Sequence, residues 1–148
     1  RYGRGCDWPF AGETLRPWYD RVQADVGIAG DAAAERWRPP GAPYPMPPQR
    51  RFAQARILAR GFEKLGLPTA PLPVAINTVE YRGRAACVYD GWCDAGCPVH
   101  ALANPLVTHE PRARKAGATF VADTTVTRVL PASPARARGV EWARADGS

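Results

Sequence analysis

Proline restricts this chain more than any other residue type. There are 16 prolines among 148 residues, about twice the usual share, together with 14 glycines. Six of the prolines fall between positions 39 and 48, so the stretch 28–48 cannot form a regular helix or a central strand. We therefore expect an extended arm here, and turns and connections over much of the remaining chain.

The overall composition is that of a globular protein, and the length suits one domain. Hydrophobic residues make up 45% and charged residues 23% of the sequence. Apolar runs are too short to cross a bilayer, so no transmembrane helix is expected. The chain starts at Arg1 without an initiator methionine and stops at the turn-like Asp146-Gly147-Ser148. We expect it to be an internal piece of a longer polypeptide.

The basic excess does not indicate a nucleic-acid partner. The formal charge is +6, but the arginines are scattered along the whole length. The densest groups, 49–51 and 112–115, carry no interleaved aromatic residues that could stack on bases. Zinc-finger, RRM and KH patterns are also absent from the sequence.

Hydrophobic periodicity predicts three helices and three strands. The helices are expected at about 14–26, 48–65 and 104–116, with Thr14 and Asn104 as N-caps and Gly66 after the second helix. Strands are expected at 118–122, 125–130 and 138–143, the last two as an antiparallel pair. This order indicates the α/β class, built of α+β pieces. The helix faces expected to be apolar comprise Leu15, Trp18, Tyr19 and Val22, then Phe52, Ala55, Leu58, Phe62 and Leu65.

A cysteine cluster carries the chemistry of the sequence. Cys87, Cys93 and Cys97 follow the spacing C-x5-C-x3-C, and Cys6 lies far upstream. Gly91 and Gly96 would let the backbone fold back so that three sulfurs can converge. The spacing leaves three interpretations open: structural thiols or a local disulfide, a three-iron cluster, and zinc with His100 as the fourth ligand. A redox-active pair is disfavoured because no C-x2-C is present.

Several separated segments resemble one enzyme family in the same order. The family is the glucose–methanol–choline (GMC) flavoprotein oxidoreductases, and within it the bacterial branch of gluconate, sorbitol, fructose and FAD-dependent glucose dehydrogenases. The similarity covers nearly the whole chain, although the proline arm is matched only loosely. The segments that carry it are 7–9, 15–22, 27–30, 93–113, 116–118 and 125–129.

The resemblance implies a two-domain enzyme that binds FAD noncovalently in a Rossmann-like domain and oxidises an alcohol carbon by hydride transfer to the flavin. Residues 1–148 would then be part of the FAD-binding region, with a helical and proline-rich cover at 1–85, a cysteine loop at 86–99, and a helix plus strands at 100–148. The backbone of Val126 would bind the adenine of FAD. The family's G-x-G-x-x-G motif and its catalytic histidine would lie outside this chain.

The same branch implies an electron path and partners. Cys87, Cys93 and Cys97 would hold a 3Fe-4S cluster that passes electrons to a cytochrome c subunit, and a small chaperone-like subunit would assist assembly. The compartment would be the periplasm, or the inner membrane through a partner; outside this branch we expect the cytoplasm. The sequence departs from the family where His100, Leu102 and Asn104 replace the usual Gly, Lys and Ser.

Overall fold

The computed structural model describes residues 5–144, which contain four helices and one antiparallel pair of strands. The predicted α/β class is therefore confirmed. The chain divides into two compact units, Arg1–Glu110 and Pro111–Ser148. Within residues 5–144 no helix is both long and apolar enough to cross a membrane.

The first helix, α1, spans Gly12–Val26 and begins before its predicted cap. The prediction that Thr14 is the N-cap is wrong, because Ala11 holds that position and the Thr14 N–H already donates to the Ala11 carbonyl at 3.0 Å. Pro17 lies inside the helix. The helix ends at Gly27, whose φ of 84° places it in the left-handed region.

The second helix, α2, spans Ala53–Lys64 and is shorter than predicted at its start. The backbone only becomes helical after Phe52, which is extended and forms the N-cap. Its end is as predicted, since Gly66 has a φ of 69° and donates its N–H to the Glu63 carbonyl at 3.0 Å. The predicted apolar face exists in the sequence, yet Ala59 is the only buried residue of this helix.

The predicted third helix is interrupted and forms two short ones. The first piece, α3, spans Pro105–Thr108, and α4 spans Glu110–Lys115. Asn104 is the N-cap as predicted, since its Oδ1 accepts the Leu106 N–H at 2.9 Å. The break follows from Pro111, which has no N–H to donate and whose ring would clash with the carbonyl four residues earlier.

The proline arm is held to the rest of the first unit by isolated backbone bridges. Ala29 pairs with Met46 in parallel and with Val74 in antiparallel fashion, so three distant segments meet at one point. Ala29 and Met46 are buried, as is Ala101, which accepts the Asn77 N–H at 3.0 Å. Among residues 5–144 the buried hydrophobic side chains are few, and all but one are alanines. They are Ala29, Met46, Ala59 and Ala101.

The second unit contains all of α4 except its first residue, and a two-stranded hairpin. Strand β1 spans Thr124–Ser133 and β2 spans Arg136–Arg144, which confirms the predicted antiparallel pair. The register shifts after Val126, so that Arg128 faces Glu141 and forms an ion pair with it. The predicted strand at 118–122 is wrong, because that segment has no backbone pairing partner within the described residues.

Candidate functional site

The cysteine loop at 86–99 contains no helix or strand and begins next to the buried Asn77. The Cys87 N–H donates to the carbonyl of the buried Asn77 at 2.8 Å, and the Cys87 Sγ accepts the Tyr89 N–H at 3.4 Å. Gly91 and Gly96 have φ values of 79° and 116°, so both glycines turn the backbone as predicted. The loop is therefore fixed at its first cysteine and turns sharply twice afterwards.

The three cysteines of the loop differ in exposure and are not gathered at one centre. All are free thiols; Cys87 and Cys97 are partly buried, whereas Cys93 is exposed. Within residues 5–144, no three His, Cys, Asp or Glu side chains form a group that could hold a metal ion. In this arrangement the thiols, with or without His100, do not fit a zinc ion or an iron cluster. Their assignment as cluster ligands stays a prediction.

Backbone donors surround the sulfur of Cys97. Hydrogen bonds from the N–H groups of Leu102 above all, and also of Val99 and Ala101, lower the pKa of the Cys97 thiol. Partial burial and the charge of Asp90 oppose this shift without reversing it. The local backbone thus favours the thiolate, which is the form that reacts as a nucleophile and binds soft metals.

Asn77 and Arg84 are buried polar residues whose side chains hydrogen-bond to the backbone just before and just after the cysteine loop. Asn77 is fully buried, and its Nδ2 donates to the carbonyls of Arg84 at 2.9 Å and Ala85 at 3.2 Å. The Arg84 guanidinium donates to the Val26 carbonyl at 2.6 Å and to the carbonyls of His100 and Ala101, both at 3.4 Å. One side chain therefore ties the end of α1 to the segment that follows Cys97.

The sequence analysis did not identify Asn77 or Arg84, although the sequence does indicate the turn that precedes Arg84. Tyr81 and Arg84 exchange backbone hydrogen bonds of 3.0 and 3.1 Å around Arg82 and Gly83, which both have positive φ. This is the geometry of a two-residue hairpin turn, and Gly83 is its sequence signal. The partners of Arg84 lie 16 to 58 residues away in the chain, so no local pattern could identify them.

His100 adopts a backbone conformation that glycine takes up more easily than histidine. Its φ is 55°, in the left-handed region, where the resemblance implies a glycine. A side chain there costs about 1–2 kcal/mol of conformational energy. His100 is exposed, and its carbonyl accepts from Arg84 whatever the side chain is.

We therefore expect His100→Gly to raise the free energy of unfolding by about 0.5–1 kcal/mol, because the relief of strain exceeds the extra entropy of glycine in the unfolded chain. Urea denaturation of the full-length protein measures the change. The matched control is Ala103→Gly, outside the left-handed region, which should lower stability by about 0.5–1 kcal/mol. Equal losses in both variants would contradict the strain at His100.

Val126, the predicted adenine-binding residue, lies on β1 of the second unit. It is paired with Trp142 of β2, and its side chain is 56% exposed. Among the described residues β1 has a partner strand along one edge only. A strand edge without a partner strand is a place where a ligand can contact backbone groups.

The known proteins that this chain resembles belong to one class of enzyme. No family model matches the chain, but the curated relatives are dehydrogenases and oxidases of the GMC type, at low identity. The resemblance inferred from the sequence is therefore confirmed.

The individual relatives come from different bacteria. The fructose dehydrogenase large subunit of Gluconobacter japonicus is 28% identical over 84% of this chain and 23% of its own length. The 6'''-hydroxyparomomycin C oxidase of Streptomyces lividus is 31% identical over 74% of the chain and 21% of its own length. The 2-methyl-1,2-propanediol dehydrogenase of Mycolicibacterium austroafricanum is 30% identical over 83% of the chain and 22% of its own length. The chain thus spans about a fifth of the length of the curated relatives it matches.

Proposed function

We propose that this chain is a segment of an FAD-dependent dehydrogenase that oxidises the CH–OH group of a sugar, a polyol or another alcohol. The observation that carries the proposal is the set of relatives, whose names all describe dehydrogenases or oxidases. Bound FAD would accept the hydride from the alcohol carbon, while a base outside this chain would take the hydroxyl proton. The product is the corresponding carbonyl compound.

Within this proposal the second unit contributes to cofactor binding. The backbone of Val126 would bind the adenine ring, and the open edge of β1 supports that role. Because the contact uses backbone groups, a change of Val126 to another β-branched residue should leave FAD binding intact. The side chain itself would serve packing rather than recognition.

The cysteine loop is proposed to hold the 3Fe-4S cluster on the basis of its spacing and of the resemblance. The thiolate-favouring surroundings of Cys97 support this role. The separation of the thiols argues against a cluster in this loop conformation, because a cluster would require a conformation in which the three sulfurs meet. The described geometry therefore supports no electron-transfer step. The cytochrome c subunit and the small chaperone-like subunit are proposed only as partners of such an enzyme.

The decisive experiment uses the full-length protein purified under anaerobic conditions. We expect bound flavin, about three irons per chain, and alcohol-dependent reduction of a cytochrome or an artificial acceptor. Cys93→Ser should abolish acceptor reduction while the flavin stays bound. Cys6→Ser is the matched control, because Cys6 is also an exposed free thiol but lies outside the triplet.

The possible outcomes separate the two levels of the proposal. Flavin and alcohol oxidation without iron would overturn the cluster and leave the dehydrogenase. A colourless protein that contains zinc, lacks flavin and unfolds on chelation would overturn both, in favour of a structural metal-binding module. Acceptor activity retained in Cys93→Ser would exclude the electron-relay role.

A further inference from the structure

An apolar groove runs along helix α2 on the surface of the first unit. It lies between the helix and the returning segment 69–74 and encloses about 530 Å³. Its large side chains are well exposed, at 56% for Phe52, 62% for Leu58 and 45% for Phe62. On the other wall Leu72 is 77% exposed. Polar groups contribute little to the lining, which includes Phe52, Ala55, Leu58, Phe62, Pro71 and Leu72.

The exposure of these side chains is notable because the described part of the first unit buries very few hydrophobic residues. Three small residues and one methionine are the only buried hydrophobic residues described, whereas the large apolar side chains face outward. Burying apolar surface contributes about 25 cal/mol per Å² and is the main force that offsets conformational entropy. An exposed apolar patch of this kind in a soluble protein marks a binding surface.

The groove adjoins the cysteine loop. The Phe52 ring at its start packs edge-on against Tyr89 of the loop, with 5.9 Å between ring centroids, and the Arg50 guanidinium stacks over the same tyrosine at 5.2 Å. Whatever fills the groove therefore also borders the loop that carries the cysteines. The opposite side of α2 is charged, with Arg56, Arg60 and Glu63.

We propose that the groove is the docking site for an apolar segment of the same polypeptide, from the part of the protein outside these 148 residues. This chain corresponds to only 16–23% of the length of its relatives, so most of such a polypeptide is available to cover it. The proposal rests on the proposed function only in taking the chain to be part of a longer enzyme.

The shape of the surface and the extent of the exposure favour this occupant over two others. A lipid surface is flat and contacts convex faces, whereas this groove is concave and accepts a ridge of side chains. A second copy would cover one patch, but exposed apolar residues also lie on α1 and on both strands. Examples are Trp18, Val129 and Trp142, at 61%, 59% and 48% exposure.

Cysteine labelling of the full-length protein tests the docking. Leu58→Cys places a thiol in the groove, and Arg56→Cys places one on the same helix about 160° away. Reaction with a maleimide in detergent-free buffer, followed by mass spectrometry of the separate peptides, measures each rate. If the groove is filled, the cysteine at position 58 should react at least about tenfold more slowly than the one at position 56. Both should react equally fast in urea.

Each alternative outcome would overturn the docking. Equal rates in the native protein would show an open groove, protection lost on dilution would indicate a second copy, and protection only with anionic vesicles would indicate lipid. Because Leu58→Cys could disturb folding, the native protein should also be probed by hydroxyl-radical footprinting at Phe62. Flavin content and alcohol oxidation are measured on the same samples, so that a failure of the proposed function is recognised separately.

Discussion

Replacing Arg84 with methionine should destabilise the first unit by about 3–5 kcal/mol, because it removes the guanidinium donors of three carbonyl groups, of which Ala101 alone keeps a described donor, the Asn77 N–H. Arg84 is only 8% exposed, and its strongest hydrogen bond goes to the carbonyl of Val26, the last residue of α1. The helix has no basic residue in its own last turn, so Arg84 supplies the positive charge that its carboxyl end favours. Burial lowers the pKa of Arg84, yet a guanidinium stays charged at neutral pH.

The loss of stability should extend to the end of the cysteine loop, since the same guanidinium also donates to the carbonyls of His100 and Ala101. Equilibrium denaturation of the full-length protein gives the free energy, and hydrogen exchange at 97–103 locates the effect. Arg82→Met is the matched control, because Arg82 forms an exposed ion pair with Asp25 at 2.9 Å and should contribute at most about 1 kcal/mol. Similar losses for the two variants would refute the supporting role of Arg84.

The second large effect is expected for Gly27→Ala, at about 2–4 kcal/mol of lost stability. Gly27 has a φ of 84°, and an added Cβ would lie 2.8 Å from Cδ1 of Tyr81 and 3.2 Å from Nη2 of Arg84. The tyrosine ring cannot easily move away, because its hydroxyl donates to the Ala24 carbonyl at 2.8 Å. Backbone strain and a steric clash therefore act together at this position.

The matched control for this prediction is Gly66→Ala. Gly66 has a similar φ of 69°, but an added Cβ there would meet nothing within 4 Å. It should therefore cost only the conformational penalty of a left-handed residue, about 1 kcal/mol. Denaturation midpoints of the two variants in the full-length protein give the comparison. If Gly27→Ala cost no more than Gly66→Ala, the packing of Tyr81 against the end of α1 would be disproved.

Elements that depend on neighbouring residues could be predicted from the sequence. Helix α2 follows from apolar spacing with Gly66 at its end, the cap of α3 from Asn104, and the hairpin from alternating residues. The errors also have local causes that compete with these signals. Thr14 is a good capping residue, but the helix starts before it, and Pro111 interrupts a continuous apolar pattern. The segment 118–122 has strand-like residues but lacks a pairing partner in the described structure.

By itself, the sequence determined the α/β class, the carboxyl ends of α1 and α2, the turns at Gly91 and Gly96, and the resemblance to GMC-type oxidoreductases. Only the tertiary structure decided that the apolar face of α2 is exposed and that Arg84 binds carbonyl groups up to 58 residues away from it in the chain. It also decided that the three clustered cysteines are not gathered at one centre in this arrangement. The physical reason is that caps and periodicity act through neighbouring residues, whereas burial and convergence depend on which distant segments pack together.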